Sequence, residues 1–146
     1  MIWRARATTL WTRNPGAKQT LRVCVERGDG ISVILDGGSS RTWNKIRYRT
    51  GLSAKNVGAS KLSMKVTTVP PGGVAFAQIH GDLEVMLYIL AGRVRPDFGP
   101  GLSRSVENGA GDFIYIESGV SHQVFHLSQS EPVVAVVARS DTSEWE

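Results

Sequence analysis

The sequence predicts an all-β protein, either a sandwich or a jelly roll. Apolar and polar residues alternate over many short segments, and turns rich in glycine and proline separate these segments. No stretch carries the apolar repeat of a helix longer than two turns. Short strands in close succession must bury one face each, and two packed sheets or a closed barrel do this most simply.

The start of the chain predicts an arm and a hairpin over residues 1–50, separate from a barrel domain over residues 51–146. Residues 21–26 alternate in polarity, a Gly-Asp-Gly turn follows, and residues 31–35 are apolar again. The arm is basic and contains Trp3 and Trp11. We expect it to pack these rings on the barrel or on a second subunit. A transit-type presequence and a nucleic-acid-binding arm are the alternatives.

The barrel is predicted from a series of strands that begins at Leu62. These strands are expected at residues 62–69, 74–80, 84–90, 103–107, 113–116, 122–127 and 133–138. The last of them is apolar on both faces, which predicts cover on its outer side from another sheet or a second subunit. We also expect the protein to form a homodimer.

Composition excludes several classes of protein. The chain has 146 residues and a net charge of +4, which is one ordinary globular domain. Cys24 is the single cysteine, so the chain forms no intrachain disulfide and no cysteine-based zinc site, and it suits a reducing cytoplasm. No apolar run is long enough to span a membrane. The mixed basic and aromatic residues 43–49 are more typical of an edge strand than of a nucleic-acid surface.

Residues 70–92 contain the first group of side chains that suits chemistry. Gln78 and His80 are two residues apart, so on a strand they point to the same face. The chain breaks at Gly81 and Asp82, and Glu84 then opens the next strand. A hairpin here would bring an amide oxygen, an imidazole and a carboxylate to one point, a set that suits a divalent metal ion.

A second stretch, residues 111–126, has a glycine-bounded strand and turn and then a strand that carries two more histidines. His122 and His126 are four residues apart and share a face. With His80 they are the only three histidines of the chain. All three therefore fall in the two stretches that the turns define.

Together these stretches resemble the two motifs of the cupins, which are small β-barrels. The first motif is Gly, five residues, His-x-His, three or four residues, Glu, six residues, Gly; here Gly72 is followed by five residues, Gln78, His80 and Glu84, but seven residues precede Gly92. The second is Gly, five residues, Pro-x-Gly, two residues, His, three residues, Asn. In that motif the two glycines and His122 match, while Glu117 replaces the proline and His126 the asparagine. The resemblance covers roughly residues 51–140.

The resemblance implies a double-stranded β-helix, or jelly-roll barrel, that holds one divalent metal ion: Fe, Mn, Ni, Co or Zn. The implied metal ligands are Gln78, His80, Glu84 and His122. Gln78 replaces a histidine of the motif, so it is either a weak direct ligand or an amide that acts through water or contacts the substrate.

Candidate acid–base or substrate-orienting groups are Tyr88, which strand alternation places on the face of Glu84 and deeper in the pocket, and His126. Each residue also has a structural alternative. In that alternative Tyr88 fills the core, and His126 is a histidine of the barrel wall whose hydrogen bonds are satisfied. Met86, Leu90 and Val124 are expected to form the apolar wall.

Two functions are compatible with these residues. The first is a mononuclear metalloenzyme of the dioxygenase or isomerase type that acts on a small oxygenated molecule. The alternative is a non-catalytic module that binds a small ligand with weak metal or none. The clustered histidines favour the first function, and Gln78 favours the second.

Overall fold

A computed structural model of the protein describes residues 25–35 and 39–143. In this part of the chain β-strands predominate. They are β1 Val25–Gly28, β2 Ile31–Ile34, β3 Ser39–Trp43, β4 Ile46–Leu52, β5 Ser63–Val69, β6 Val74–Ile79, β7 Val85–Ala91, β8 Arg93–Phe98, β9 Arg104–Ser105, β10 Asn108–Gly109, β11 Phe113–Ile116, β12 Ser121–His126 and β13 Val133–Arg139. One helical turn, α1 Ala54–Val57, and one 3-10 turn, Pro100–Leu102, complete the described elements.

Except for β1 and β2, which pair only with each other, the strands form two facing antiparallel sheets. The large sheet has the order β11-β7-β13-β5-β4-β3, and the small sheet has the order β10-β8-β12-β6, with β9 paired to β8. Their inner faces share an aliphatic core that includes Ile89 and Val133 from the large sheet and Val94 from the small sheet. The predicted all-β jelly roll is confirmed.

The hairpin near the start of the chain is present as β1 and β2, which pair antiparallel through the turn at Asp29 and Gly30. Residues 1–24, which include the predicted arm and its tryptophans, lie outside the described residues. The boundary predicted at residue 50 falls inside β4, and both β3 and β4 belong to the large sheet.

The series of predicted strands lacks three that the structure describes: β3, β8 and β10. β8 contains Pro96, and proline normally argues against a strand because it donates no ladder hydrogen bond. In the structure Pro96 is buried and faces Val124 in the register of β8 with β12. Of the predicted strand at residues 103–107, only the two residues of β9 are paired as a strand.

The pairing registers define two ends of the barrel. β13 pairs with β5 and with β7, so Lys65, opposite Val137, and Val85, opposite Arg139, lie at the same end. A short loop joins Val85 back to His80, so His80 belongs to this end too. We call it the histidine end. Among the described residues, no helix has the length and apolar character needed to cross a membrane.

Candidate functional site

A cavity of about 110 Å³ lies between the two sheets. This volume has room for several water molecules or a small organic molecule. Most of its lining is aliphatic and comes from both sheets. The aliphatic side chains are Ile46, Val69, Val85, Leu87, Ile89, Val94, Ile114, Ile116, Val124, Val133, Ala135 and Val137. The same cavity is lined by His80 and His122 at the histidine end.

His80 and His122 come together although 41 residues lie between them. His80 directly follows β6, and His122 lies in β12, whose backbone pairs it with Gln78. The two imidazole centroids are 5.4 Å apart, and the rings are tilted by 41°. The convergence of the two motifs inside the barrel, predicted from the sequence, is therefore present for these two histidines.

The tautomer of His122 follows from its hydrogen bond. Its Nδ1 lies 3.0 Å from the carbonyl oxygen of Val120. Since a carbonyl only accepts, Nδ1 donates, and Nε2 of the neutral ring keeps its lone pair. His122 is only 7% exposed, so this contact fixes the ring inside the protein. Nε2 can accept a hydrogen bond from a ligand or bind a cation.

Glu84 does not join the two histidines. Its carboxylate is exposed and accepts a 2.6 Å hydrogen bond from the hydroxyl of Tyr115, a residue of β11. This hydrogen bond raises the pKa of the Tyr115 phenol above its ordinary value. The expected convergence of Glu84 with the histidines is wrong in this structure, because Glu84 lies on the outer side of the barrel.

The spacing of the first motif explains this displacement. On β7 the side chains of Val85, Leu87 and Ile89 line the cavity, so residues one position out of phase face outward. With six residues between it and Gly92, the acidic position of the motif falls on Val85 rather than on Glu84. A buried valine thus occupies the inward position. The extra residue before Gly92 is the signal that could have shown this in the sequence.

Tyr88 shares the outer face with Glu84. Its ring packs on Phe113 with centroids 4.6 Å apart, and it does not line the cavity. Met86 and Leu90 are exposed by 53% and 49%. The expectations that Tyr88 lies deeper in the pocket and that Met86 and Leu90 form its wall are wrong, since alternation from Val85 turns all three outward.

His126 and Val124 follow the predicted alternation on β12. Val124 lines the cavity as expected. His126 is buried, but it lies at the opposite end of β12 from His122 and is not part of the cavity lining. Its Nδ1 accepts a 2.9 Å hydrogen bond from the backbone N–H of Ser128, while its buried Nε2 has no hydrogen-bond partner among the described residues. A buried ring with a hydrogen bond to the backbone is the structural alternative that the sequence left open for His126.

Three polar side chains of the cavity were missed in the sequence: Tyr48, Lys65 and Thr67. Lys65 is only 5% exposed, and its Nζ lies 5.0 Å from the centroid of the Tyr48 ring. Thr67 is opposite Tyr48 in the register of β4 with β5, and its buried hydroxyl has no hydrogen-bond partner in the described part of the chain. They lie on strands before the first motif, so neither motif indicates them.

The predicted set of four metal ligands does not fit this site. Two imidazoles that bind one cation at about 2.1 Å in a tetrahedral arrangement place their centroids roughly 5 Å apart, and the 5.4 Å between His80 and His122 agrees with that. However, Glu84 is engaged on the outer face, and nothing is described of the Gln78 side chain. Within residues 25–35 and 39–143, no three His, Cys, Asp or Glu side chains lie close enough to hold a metal ion.

The fold and the paired histidines inside the barrel define a jelly-roll protein of the cupin class. A family model described as the cupin domain matches residues 65–139, which is more than half of the chain. The protein belongs to this family, as the two motifs suggested. A search of curated proteins finds no match.

Solved structures of low sequence identity share the fold. The cupin domain of Schizosaccharomyces pombe Cnp3 superposes with a TM-score of 0.62 at 8% identity, over 76% of this chain and 77% of that one. A predicted oxalate decarboxylase from Thermotoga maritima gives 0.57 at 19% identity, over 65% of this chain and 79% of that one. A formate complex of Lactobacillus farciminis oxalate decarboxylase gives 0.67 at 16% identity, and the match covers 77% of this chain but only 34% of that one.

Proposed function

We propose that this cupin binds a small molecule in its cavity and holds the polar group of that molecule between His80 and His122. The observation that carries the proposal is the contrast between two parts of the cavity lining. Its walls are aliphatic, while two imidazoles 5.4 Å apart are at one end. Apolar walls with a few convergent polar groups are typical of small-molecule sites.

Each histidine has a defined part in this proposal. The Nε2 lone pair of His122 accepts a hydrogen bond from a hydroxyl of the ligand, because Nδ1 is committed to Val120. His80 lies across from it and contacts the same group. The aliphatic walls exclude water, which strengthens these hydrogen bonds.

A metal-dependent enzyme of the dioxygenase or isomerase type is the second candidate function. The spacing of the two imidazoles favours it, since two ligands of a divalent metal could be supplied in this way. Val85 at the inward position on β7 counts against it, because a valine cannot bind a cation. Elemental analysis of protein prepared without a histidine tag separates the two functions. We expect far less than one metal ion per chain, and one tightly held ion would favour the enzyme.

The ligand proposal is tested by titrating wild-type protein with small hydroxylated molecules, such as 2-pentanol, 3-methyl-2-butanol and cyclopentanol, followed by ligand-observed NMR. His80→Ala and His122→Ala should each weaken binding about tenfold, which is the effect of one or two lost hydrogen bonds. Glu84→Gln is the matched control and should bind as the wild type does, because Glu84 lies outside. Binding by both alanine variants at wild-type strength, or no binding by the wild type, would overturn the proposal.

The homodimer expected from the sequence remains a prediction. On the outer face of the large sheet, Phe113 is 81% exposed and Tyr115 is 53% exposed, and both lie beside Met86 and Tyr88 in the register of β11 with β7. Exposed apolar patches of this kind often bind another protein surface. Light scattering on the purified chain would show whether it is a dimer.

A further inference from the structure

The charges of this chain are divided along its sequence. Residues 37–81 contain seven lysines and arginines and no aspartate or glutamate. Residues 82–146 contain ten acidic residues and four arginines. The first stretch forms β3, β4 and β5, while the second forms β7, β11 and β13. The balance of charge therefore changes sign between two parts of the fold.

The large sheet is divided in the same way. In its order β11-β7-β13-β5-β4-β3, the three strands of the acidic stretch lie on one side and the three strands of the basic stretch lie on the other. Arg47 and Arg49 are exposed on the outer face of β4. Glu84, directly before β7, and Glu117, directly after β11, are exposed at the other side. The outer face of this sheet thus has a basic edge and an acidic edge.

The middle of the outer face is apolar. One row of paired residues crosses it: Arg49 is opposite Val66, Val66 is opposite Val136, Val136 is opposite Tyr88, and Tyr88 is opposite Phe113. Residues directly opposite each other on paired strands share a face, so all five side chains lie on the outer face. An apolar row between two charged edges has the composition of an interface with a polar rim.

The face is large enough for a specific interface. β5, β7 and β13 have seven residues each. With strands about 4.8 Å apart and a rise of about 3.3 Å per residue, the six-stranded sheet measures about 24 Å by 23 Å. Two such faces cover roughly 1,100 Å² before the relief of the side chains is counted, close to the roughly 1,200 Å² at which stable interfaces begin.

We propose that this outer face binds the same face of a second copy of the chain about a two-fold axis that runs parallel to the strands, between β13 and β5. This axis places β7 and β11 of one subunit opposite β4 and β3 of the other. The acidic edge then faces the basic edge at both ends of the interface. Arg49 lies opposite the partner subunit's Tyr88, where a cation–π contact can form.

The charges favour this axis over the other one that packs the same faces together. A two-fold axis across the strands would place each edge opposite its own copy, so that arginines meet arginines and carboxylates meet carboxylates. Juxtaposed like charges disfavour an interface. The proposal thus gives the homodimer expected from the sequence a surface and a symmetry. It does not depend on the proposed function, because the face lies outside the cavity.

Two charge-reversed variants of the full chain test the proposal. Arg47→Glu with Arg49→Glu makes both edges acidic, and Glu84→Lys with Glu117→Lys makes both edges basic. Each variant alone should dimerise about a hundredfold more weakly than the wild type, since like charges then meet at both ends of the interface. An equal mixture of the two should recover a dimer of nearly wild-type affinity, because every acidic edge again faces a basic one. Sedimentation velocity measures the dissociation constants.

Arg93→Glu with Arg104→Glu is the matched control. It changes the net charge as much as the reversal on β4 does, but both arginines are exposed on the small sheet. The control should dimerise as the wild type does, and an equal loss would assign the effect to net charge and overturn the proposal. Recovery in the mixture shows that both reversed variants fold. If one of them does not fold, Arg49→Glu alone decides, and a dimer of wild-type strength overturns the proposal.

The remaining outcomes are equally clear. A wild-type chain that stays monomeric at every concentration overturns the proposal, whether residues 1–24 or another protein covers the face. Reversed variants that dimerise as well as the wild type place the interface elsewhere or require the axis across the strands, and either result overturns it. Loss of the dimer in each variant and its return in the mixture support it. Ligand binding in the cavity should be the same in all variants, so neither proposal decides the other.

Discussion

The two motif regions of this cupin differ in what they deliver to the cavity. Residues 111–126 keep the spacing of their motif at both glycines and at the histidine, and His122 is buried with a fixed ring. Residues 72–92 have one residue too many before the closing glycine, and their acidic side chain lies outside while a valine lies inside. In a strand, a shift of one residue exchanges the two faces, so the one extra residue before Gly92 decides whether a carboxylate reaches the interior.

The largest effect is expected when the first motif region is given the histidine and the inward carboxylate of the family motif. Gln78→His with Val85→Glu would present two histidines from the first motif region, an inward carboxylate and His122 to one point. Metal affinity should rise roughly a hundredfold or more, because imidazole and carboxylate are far better ligands than an amide and an alkyl group. Titration with Zn²⁺ or Mn²⁺ in a calorimeter measures this gain.

The metal-free double variant should also be less stable than the wild type. Val85 is only 5% exposed, so a glutamate there buries a carboxylate, and the metal should raise the melting temperature of the variant strongly. Glu84→Gln is the control and should leave metal binding unchanged in either background. A double variant that gains no affinity, together with loss of wild-type metal binding in Glu84→Gln, would assign the carboxylate role back to Glu84.

A smaller effect is expected from the glycines that bound the two motif regions. Gly92 has a φ of +87°, and an added Cβ would lie 2.7 Å from Cγ2 of Val133 and 2.8 Å from the carbonyl oxygen of Pro132. Gly111 has a φ of +96° with open space around it. Gly92→Ala should therefore lower the free energy of unfolding by about 3 kcal/mol or more, and Gly111→Ala by only about 1–2 kcal/mol. Chemical denaturation measures the free energy of unfolding of both variants. Equal losses would mean that the close approach of the added Cβ to β13 does not destabilise the protein.

Much of this architecture could be predicted from the sequence, for physical reasons that particular residues show. The alternation of residues 62–69 predicts β5 because it mirrors the two faces of a strand. The short apolar run at residues 133–138 predicts β13 because a strand that is covered on both faces is apolar throughout. His122 was found because motif spacing reflects local turn geometry. β8 was missed because Pro96 normally breaks a ladder, a rule that the packing of two sheets overrides here.

The candidate site was harder to predict because it depends on pairings between distant strands. The roles of Tyr48, Lys65 and Thr67 follow from the register of β4 with β5 and of β5 with β13, which no local pattern specifies. The predicted position of Glu84 is wrong for a different reason: the spacing to Gly92, and not the acidic residue itself, sets the phase of β7, and this phase turns Val85 inward and Glu84 outward. The metal site, the catalytic roles of Tyr88 and His126, and the dimer remain predictions for experiment.

The most direct test of the account uses the three histidines as probes. Since the chain has only three, a long-range ¹H–¹⁵N NMR spectrum of the imidazoles contains three ring systems, each assignable by substitution. On titration with 2-pentanol, the account predicts that the signals of His80 and His122 move together with one affinity and that those of His126 stay in place. Movement of His126 alone, or of neither cavity histidine when the ligand binds, would contradict it.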